Sequence, residues 1–118
     1  MEKQSNDKGQ LQLLAKINSP EFAANTCAQI NKDLNGVSLA SVVLNANDSM
    51  TVLEHLVQQL NPILEKLTEE SKLSQFIYLV DLNEFEFKKA LAQQSFDELS
   101  YLVIKREAQK VYLRMKYS

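Results

Sequence analysis

From Ser95 to Ser118 the chain carries apolar side chains on two opposite sides of one expected helix. Wound at about 100° per residue, Phe96, Leu99, Leu102, Val103, Leu113 and Tyr117 form one stripe, and Tyr101, Ile104, Ala108, Val111, Tyr112 and Met115 form the other. A helix lying on a surface needs a single stripe, whereas two stripes imply cover on two flanks. The C-terminal helix is therefore expected at the centre of the fold, with the preceding segments wrapped around it.

What surrounds it is constrained by punctuation. Two glycines, Gly9 and Gly36, and two prolines, Pro20 and Pro62, serve 118 residues. Hairpin-rich β folds need turn residues roughly every 8–12 positions, so this supply is too small. Leu, Ala, Gln, Glu and Lys, all good helix formers, are plentiful instead. The expected fold is all-α, a compact bundle of five to seven short helices packed around the C-terminal one. Residues 1–8 are polar and expected to be a flexible N-terminus, leaving 9–118 as a single helical domain with no repeat or linker to divide it.

Local signals place the helices. Gln10 to Ile17 carries Leu11, Leu13, Leu14 and Ile17, a short helical pattern. Ser19, Pro20 and Glu21 form a helix start, with capping oxygen, fixed φ and favourable charge in order. Ala23, Cys27, Ile30 and Leu34 continue that helix's inner face, and Asn35-Gly36 is expected to supply a left-handed stop. Val37 to Leu44 suits a strand by its β-branched content, but a lone strand has nothing to pair with, so a short buried helix is expected. Met50 to Leu67 keeps one apolar phase through Pro62, which favours a single helix kinked there over two helices with Asn61 as a cap; Asp48 or Ser49 is the expected cap at its start. Leu73 to Val80 resumes helical spacing, although Phe76 to Val80 alone also fits a strand. Asn83, with Glu86 three residues on, opens a helix that buries Phe87, Ala90 and Leu91 and ends near Gln94. Ser95-Phe96-Asp97-Glu98 reads as a capping box for the last helix.

The inventory for chemistry is thin. His55 is the only histidine and is expected on the polar, solvated side of its helix. Cys27, the only cysteine, sits on an apolar face and reads as a small buried hydrophobe rather than a nucleophile. One His and one Cys cannot build a usual zinc site, and Asp81, Glu84 and Glu86 are explained by capping and dipole effects rather than by a cation. Isolated glycines exclude a phosphate-binding loop. No catalytic residue, cofactor or metal is expected, and the chain reads as a non-enzyme; an enzyme of carboxylates and tyrosines, or a helical pocket for an apolar ligand, has no linear signal behind it.

Charge offers one asymmetry. Net charge is −2, which gives no general attraction to nucleic acid or anionic lipid. Beyond Ile104, however, Lys105, Arg106, Lys110, Arg114 and Lys116 face Glu107 alone, a local net of +4 interleaved with Tyr112 and Tyr117. Such a cluster serves either the negative end of the helix dipole or an anion- or partner-binding surface. Arg106 falls inside an apolar stripe, where it needs a carboxylate; Glu84, Glu86, Asp97 and Glu98 are the nearby candidates for a buried ion pair. The expected function is a non-catalytic helical module that binds protein, its own second copy included as a homodimer. A nucleic-acid or anion-binding module using the basic C-terminal residues is the second choice. A polar start, no long apolar run and a lone cysteine lead to the expectation of a cytoplasmic protein without membrane contact.

Overall fold

The structure is a computed structural model and describes residues 16–44, 51–93 and 95–117. Within these it is all-helical: α1 (Pro20–Leu34), α2 (Val52–Glu69), α3 (Leu73–Val80), α4 (Glu84–Leu91) and α5 (Asp97–Tyr117). The helix expected over 10–17 and the flexible stretch 1–8 lie outside the described residues, apart from Lys16 and the buried Ile17.

Helix α5 touches each of the other four helices, so the C-terminal segment is the pillar of the bundle. Its burial differs in shape from two opposed stripes. Leu99, Ser100, Leu102, Val103, Ile104, Glu107, Ala108 and Val111 are buried, and on a helical wheel they form one broad arc with Ser100 and Glu107 at its middle. The gap between the two apolar stripes is thus the deepest part of the interface. Leu113, Met115 and Tyr117, assigned to the stripes, are exposed.

Helix α2 runs unbroken through Pro62 and seals the core with Leu56, Leu60, Leu64 and Leu67. Its cap is Thr51 rather than Asp48 or Ser49. The Thr51 hydroxyl accepts from the Glu54 amide at 3.2 Å and donates to Glu54 Oε1 at 3.0 Å, a Thr-x-x-Glu pairing that fixes the first turn. Asn61 is no cap; it lies mid-helix, donates to Asp97 Oδ1 and accepts from the Ser100 hydroxyl at 2.6 Å. These bonds fasten α2 to the first turn of α5 and satisfy the buried Ser100. Helix α5 itself opens at Asp97, one position later than a Ser95 cap implies: the Phe96 carbonyl accepts the first bond, from Ser100 N at 2.8 Å.

Helix stops also depart from the glycine signals. Gly36 has no positive φ, and Asn35 is right-handed at φ −61°. The left-handed stops are Ser71 (φ 61°) and Asp81 (φ 65°). Lys72 N bonds Leu67 O at 2.8 Å with Ser71 N to Thr68 O at 3.1 Å, and Leu82 N bonds Ile77 O at 3.3 Å with Asp81 N to Tyr78 O at 3.1 Å. Both are paired terminal closures of the Schellman type, built without glycine. Gly36 has another reason to be small, since a Cβ there would lie 2.6 Å from Leu79 Cδ1: the loop after α1 presses onto α3.

The segment Ser38 to Leu44 is irregular, with a bend at Leu39, and only Val42 in it is buried. The expected short helix is replaced by an irregular run whose backbone at Val42 and Val43 pairs with side chains. Asn31 Oδ1 accepts from Val42 N at 2.7 Å and Asn31 Nδ2 donates to Val42 O at 2.9 Å. Gln59 repeats the pattern on the next residue, accepting from Val43 N at 2.8 Å and donating to Val43 O at 2.7 Å. Helix α1 thus grips one residue of the run and α2 the next. Helix α4 is bonded at its start as expected, with Asn83 Oδ1 accepting from Phe85 N and Glu86 N. It ends at Leu91, and of its apolar trio only Ala90 is buried; Phe87 is half-buried and Leu91 exposed.

Candidate functional site

Two features stand out, one polar and buried, the other apolar and exposed. The first lies where α1, α3 and α5 meet. Lys110 Nζ donates to Asp33 Oδ2 at 2.8 Å and to the Leu79 and Val80 carbonyls at 3.2 Å each. An ammonium has three hydrogens, and these three acceptors use them. Glu107 Oε1 also lies 2.8 Å from the ammonium, yet neither of its oxygens has an aligned hydrogen-bond partner. Glu107 is 0% exposed. Its pKa is pushed up to about 9, by burial first and then by the Asp33 carboxyl beside it, with Lys110 pulling the other way. The carboxyl therefore holds its proton at neutral pH. Burial pulls Lys110 down, but the carboxyl groups of Asp33 and Glu107 beside it outweigh that and leave it raised.

The seam continues along the two helices. Gln29 donates to Asp33 Oδ2 at 3.4 Å and accepts from Arg114 Nη1 at 2.8 Å. Asn25 reaches Met115 Sδ at 4.0 Å. Contacts that descend α1 while climbing α5 mean that the two run antiparallel. Chemically the cluster is a lock: its members face one another and Glu107 is closed to solvent. Sequence reading passed over Asp33 and Glu107 because charged residues near an apolar stripe suggest a solvated face. Their signal was positional, Asp33 one residue from buried Leu34 and Glu107 midway between two stripes.

The five basic residues singled out in the sequence do not converge. Arg106 donates to the Asp81 carbonyl at 2.9 Å, to Asp81 Oδ2 at 3.0 Å and to Gln109 Oε1 at 2.9 Å. Its carboxylate is thus Asp81, not Glu84, Glu86, Asp97 or Glu98. The pair is surface-edged rather than buried, since the Asp81 side chain is 79% exposed. Lys110 is consumed by the seam and Arg114 by Gln29. Lys105 lies over the Tyr101 ring at 5.9 Å, and Lys116 over Tyr112 at 5.9 Å and Tyr117 at 5.6 Å, with Lys16 on Tyr112 at 4.9 Å. Lys105 and Arg106 border a groove of about 380 Å³ against Asp81, Asn83 and Glu86, where both signs of charge are present.

Two other residues need placing. His55 is half-buried rather than on an open polar face. Cys27 is buried as expected; burial raises its thiol, partly offset by Asn31, and Sγ donates to Val42 O at 3.3 Å. No cluster of metal-ligating side chains occurs among the described residues, and no described helix is long and apolar enough to cross a membrane.

The exposed feature surrounds residues 35–40. Val37, Tyr78 and Leu79 line a shallow groove of about 440 Å³ with Gly36, Ser74 and Gln75. On the other side Ala40, Pro62, Ile63 and Leu67 line one of about 220 Å³, edged by Ser38 and Lys66. Between them a third depression is shared by Val37, Ser38, Leu39 and Ala40 with Lys66, Glu70 and Lys72. Together they make one furrow from α3 to the second half of α2, crossed by the loop. Leu39 stands fully exposed on its crest and Tyr78 is 83% exposed on its wall. Gly36 and the Asn31 and Gln59 grips hold the crest up, a tertiary arrangement that no spacing in the sequence announces.

These features define a helical module with a closed polar seam and an open apolar furrow. Compared with protein-family models, curated proteins and solved structures, the chain finds no significant match in any of the three.

Proposed function

We propose that the chain is a non-catalytic helical module that binds protein, its own second copy included, through the furrow around residues 35–40. One observation carries this reading: Leu39, fully exposed, sits on a braced loop between two apolar grooves, with Tyr78 beside it. Leaving such side chains in water forfeits burial worth roughly 25 cal/mol per Å², and clustered exposed apolar surface marks interaction sites. The single buried cysteine fits a reducing, cytoplasmic setting. The test compares chain and variant as immobilised baits in their native extract. Proteins retained by the wild type and lost with Leu39→Asp and Tyr78→Asp support the reading; identical retention by all three contradicts it.

A second reading, an anion- or nucleic-acid-binding module on α5, is favoured by the stacking of Lys105 on Tyr101 and of Lys116 on Tyr112 and Tyr117. Tyrosine faces beside free-standing charge suit unstacked bases. Its signature is affinity for single-stranded RNA that falls steeply with salt and is lost on charge reversal at Lys105 and Lys116. Arg106, Lys110 and Arg114 have intramolecular partners already, which ranks this reading second.

A further inference from the structure

The geometry points to a second copy of this chain, paired about a two-fold axis, as the occupant of the furrow; this rests on the protein-binding reading and names its partner. In a two-fold interface the same patch serves both sides, so a residue meeting a groove on its partner must find its own groove met in return. Such a patch needs a knob and a hole next to each other. Leu39 is the knob, fully exposed, and the depression lined by Ala40, Pro62, Ile63 and Leu67 is the hole. Its volume of about 220 Å³ is almost wholly apolar in lining and far above the ~10–15 Å³ that one water needs. Leu39 of each copy fills the hole of the other.

Charge on the same patch is self-complementary as well. Lys66 in the last turn of α2 and Glu70, which closes that helix, border the depression beneath Leu39 together with Lys72. A face built for an acidic or a basic partner carries one sign. This one carries both, and a two-fold axis sets Lys66 of one copy against Glu70 of the other, twice. Tyr78 and Leu79 extend the apolar area on the α3 side, tyrosine being enriched in such interfaces.

Sedimentation equilibrium of the full chain from micromolar to millimolar concentration tests this. The wild type is expected to dimerise and Leu39→Asp to stay monomeric with an unchanged helical circular dichroism spectrum. Lys66→Glu and Glu70→Lys each weaken the dimer by roughly tenfold, and mixing the two variants restores it, because the mixed dimer has opposite charges at both contacts. A wild type monomeric throughout, a Leu39→Asp chain as dimeric as the wild type, or a mixture no tighter than its components overturns the proposal. A photo-crosslinking residue at position 39, irradiated in cells, separates the two readings. A product of twice the chain mass supports the second copy. A product of another mass overturns it while leaving the protein-binding reading, and no product overturns both.

Discussion

The seam between α1 and α5 and the furrow beside it reverse the usual placement of side chains. The seam buries Asp33 and Glu107 and half-buries Lys110 between them, whereas the furrow holds Leu39 and Tyr78 out in water. Their energetics differ accordingly. A buried charge cluster is strongly coupled, so removing one member leaves the rest uncompensated. An exposed apolar crest contributes little to folding, so changing it leaves the fold intact. A region that tolerates substitution while displaying apolar surface is free to be shaped for a partner; the seam is shaped for the fold itself.

The contrast breaks most visibly at Lys110. Replacement by Met strands the Asp33 charge and leaves the Leu79 and Val80 carbonyls unbonded, and is expected to cost about 3–5 kcal/mol in urea denaturation. A loss under 1 kcal/mol would mean that the seam is solvated in solution.

The next largest effect is one of pH. Glu107 keeps its proton up to about pH 9 when folded, against an ordinary value of 4.5 for an exposed glutamate, so between those limits the folded chain binds more protons than the unfolded one. Its contribution is full below about pH 4.5 and is lost as pH rises towards 9, by up to about 1.4 kcal/mol per unit. Glu107→Gln keeps a neutral side chain of the same shape, and is expected to remove that slope and to leave stability at low pH nearly unchanged. Denaturation series at several pH values compare the two, and parallel slopes would refute the buried acid.

Asn31→Ala comes third. It leaves Val42 N without a partner and Val42 O with only the weak Cys27 thiol, an expected cost of about 1–3 kcal/mol, with faster amide exchange at Val42. Last comes Leu39→Asp, expected to shift stability by less than about 0.5 kcal/mol while abolishing association. If it unfolds the chain, Leu39 belongs to the core and the comparison fails.

Much of the helical frame was legible in the sequence. The Pro20 start, the single phase through Pro62, the Asn83 cap and the central position of α5 all follow from local signals that tertiary packing leaves in force, although the Ser19 hydroxyl makes no capping bond at that start. Three kinds of feature were not legible. Left-handed stops at Ser71 and Asp81 lack glycine, because the paired terminal bonds outweigh a strain of order 1–2 kcal/mol. The irregular run at 38–44 has no strand partner, because Asn31 and Gln59, separated by 28 positions in sequence, supply the bonds to Val42 and Val43 from side chains. The seam carries charges where a core pattern has none, since a protonated carboxyl and a paired ammonium bury at a lower cost than their formal charges suggest. The five basic residues were visible as a cluster in sequence, but helical winding and competing partners separate them in space.

Amide hydrogen exchange across a concentration series tests the central claim most directly, because it reports on both regions at once. Added protection is expected at residues 38–41 and along the exposed side of α3 as concentration rises, with the seam segments around Asp33 and Lys110 unchanged. Protection that grows instead along α5 near Tyr112 to Tyr117, or that grows nowhere, would contradict the furrow as the working surface.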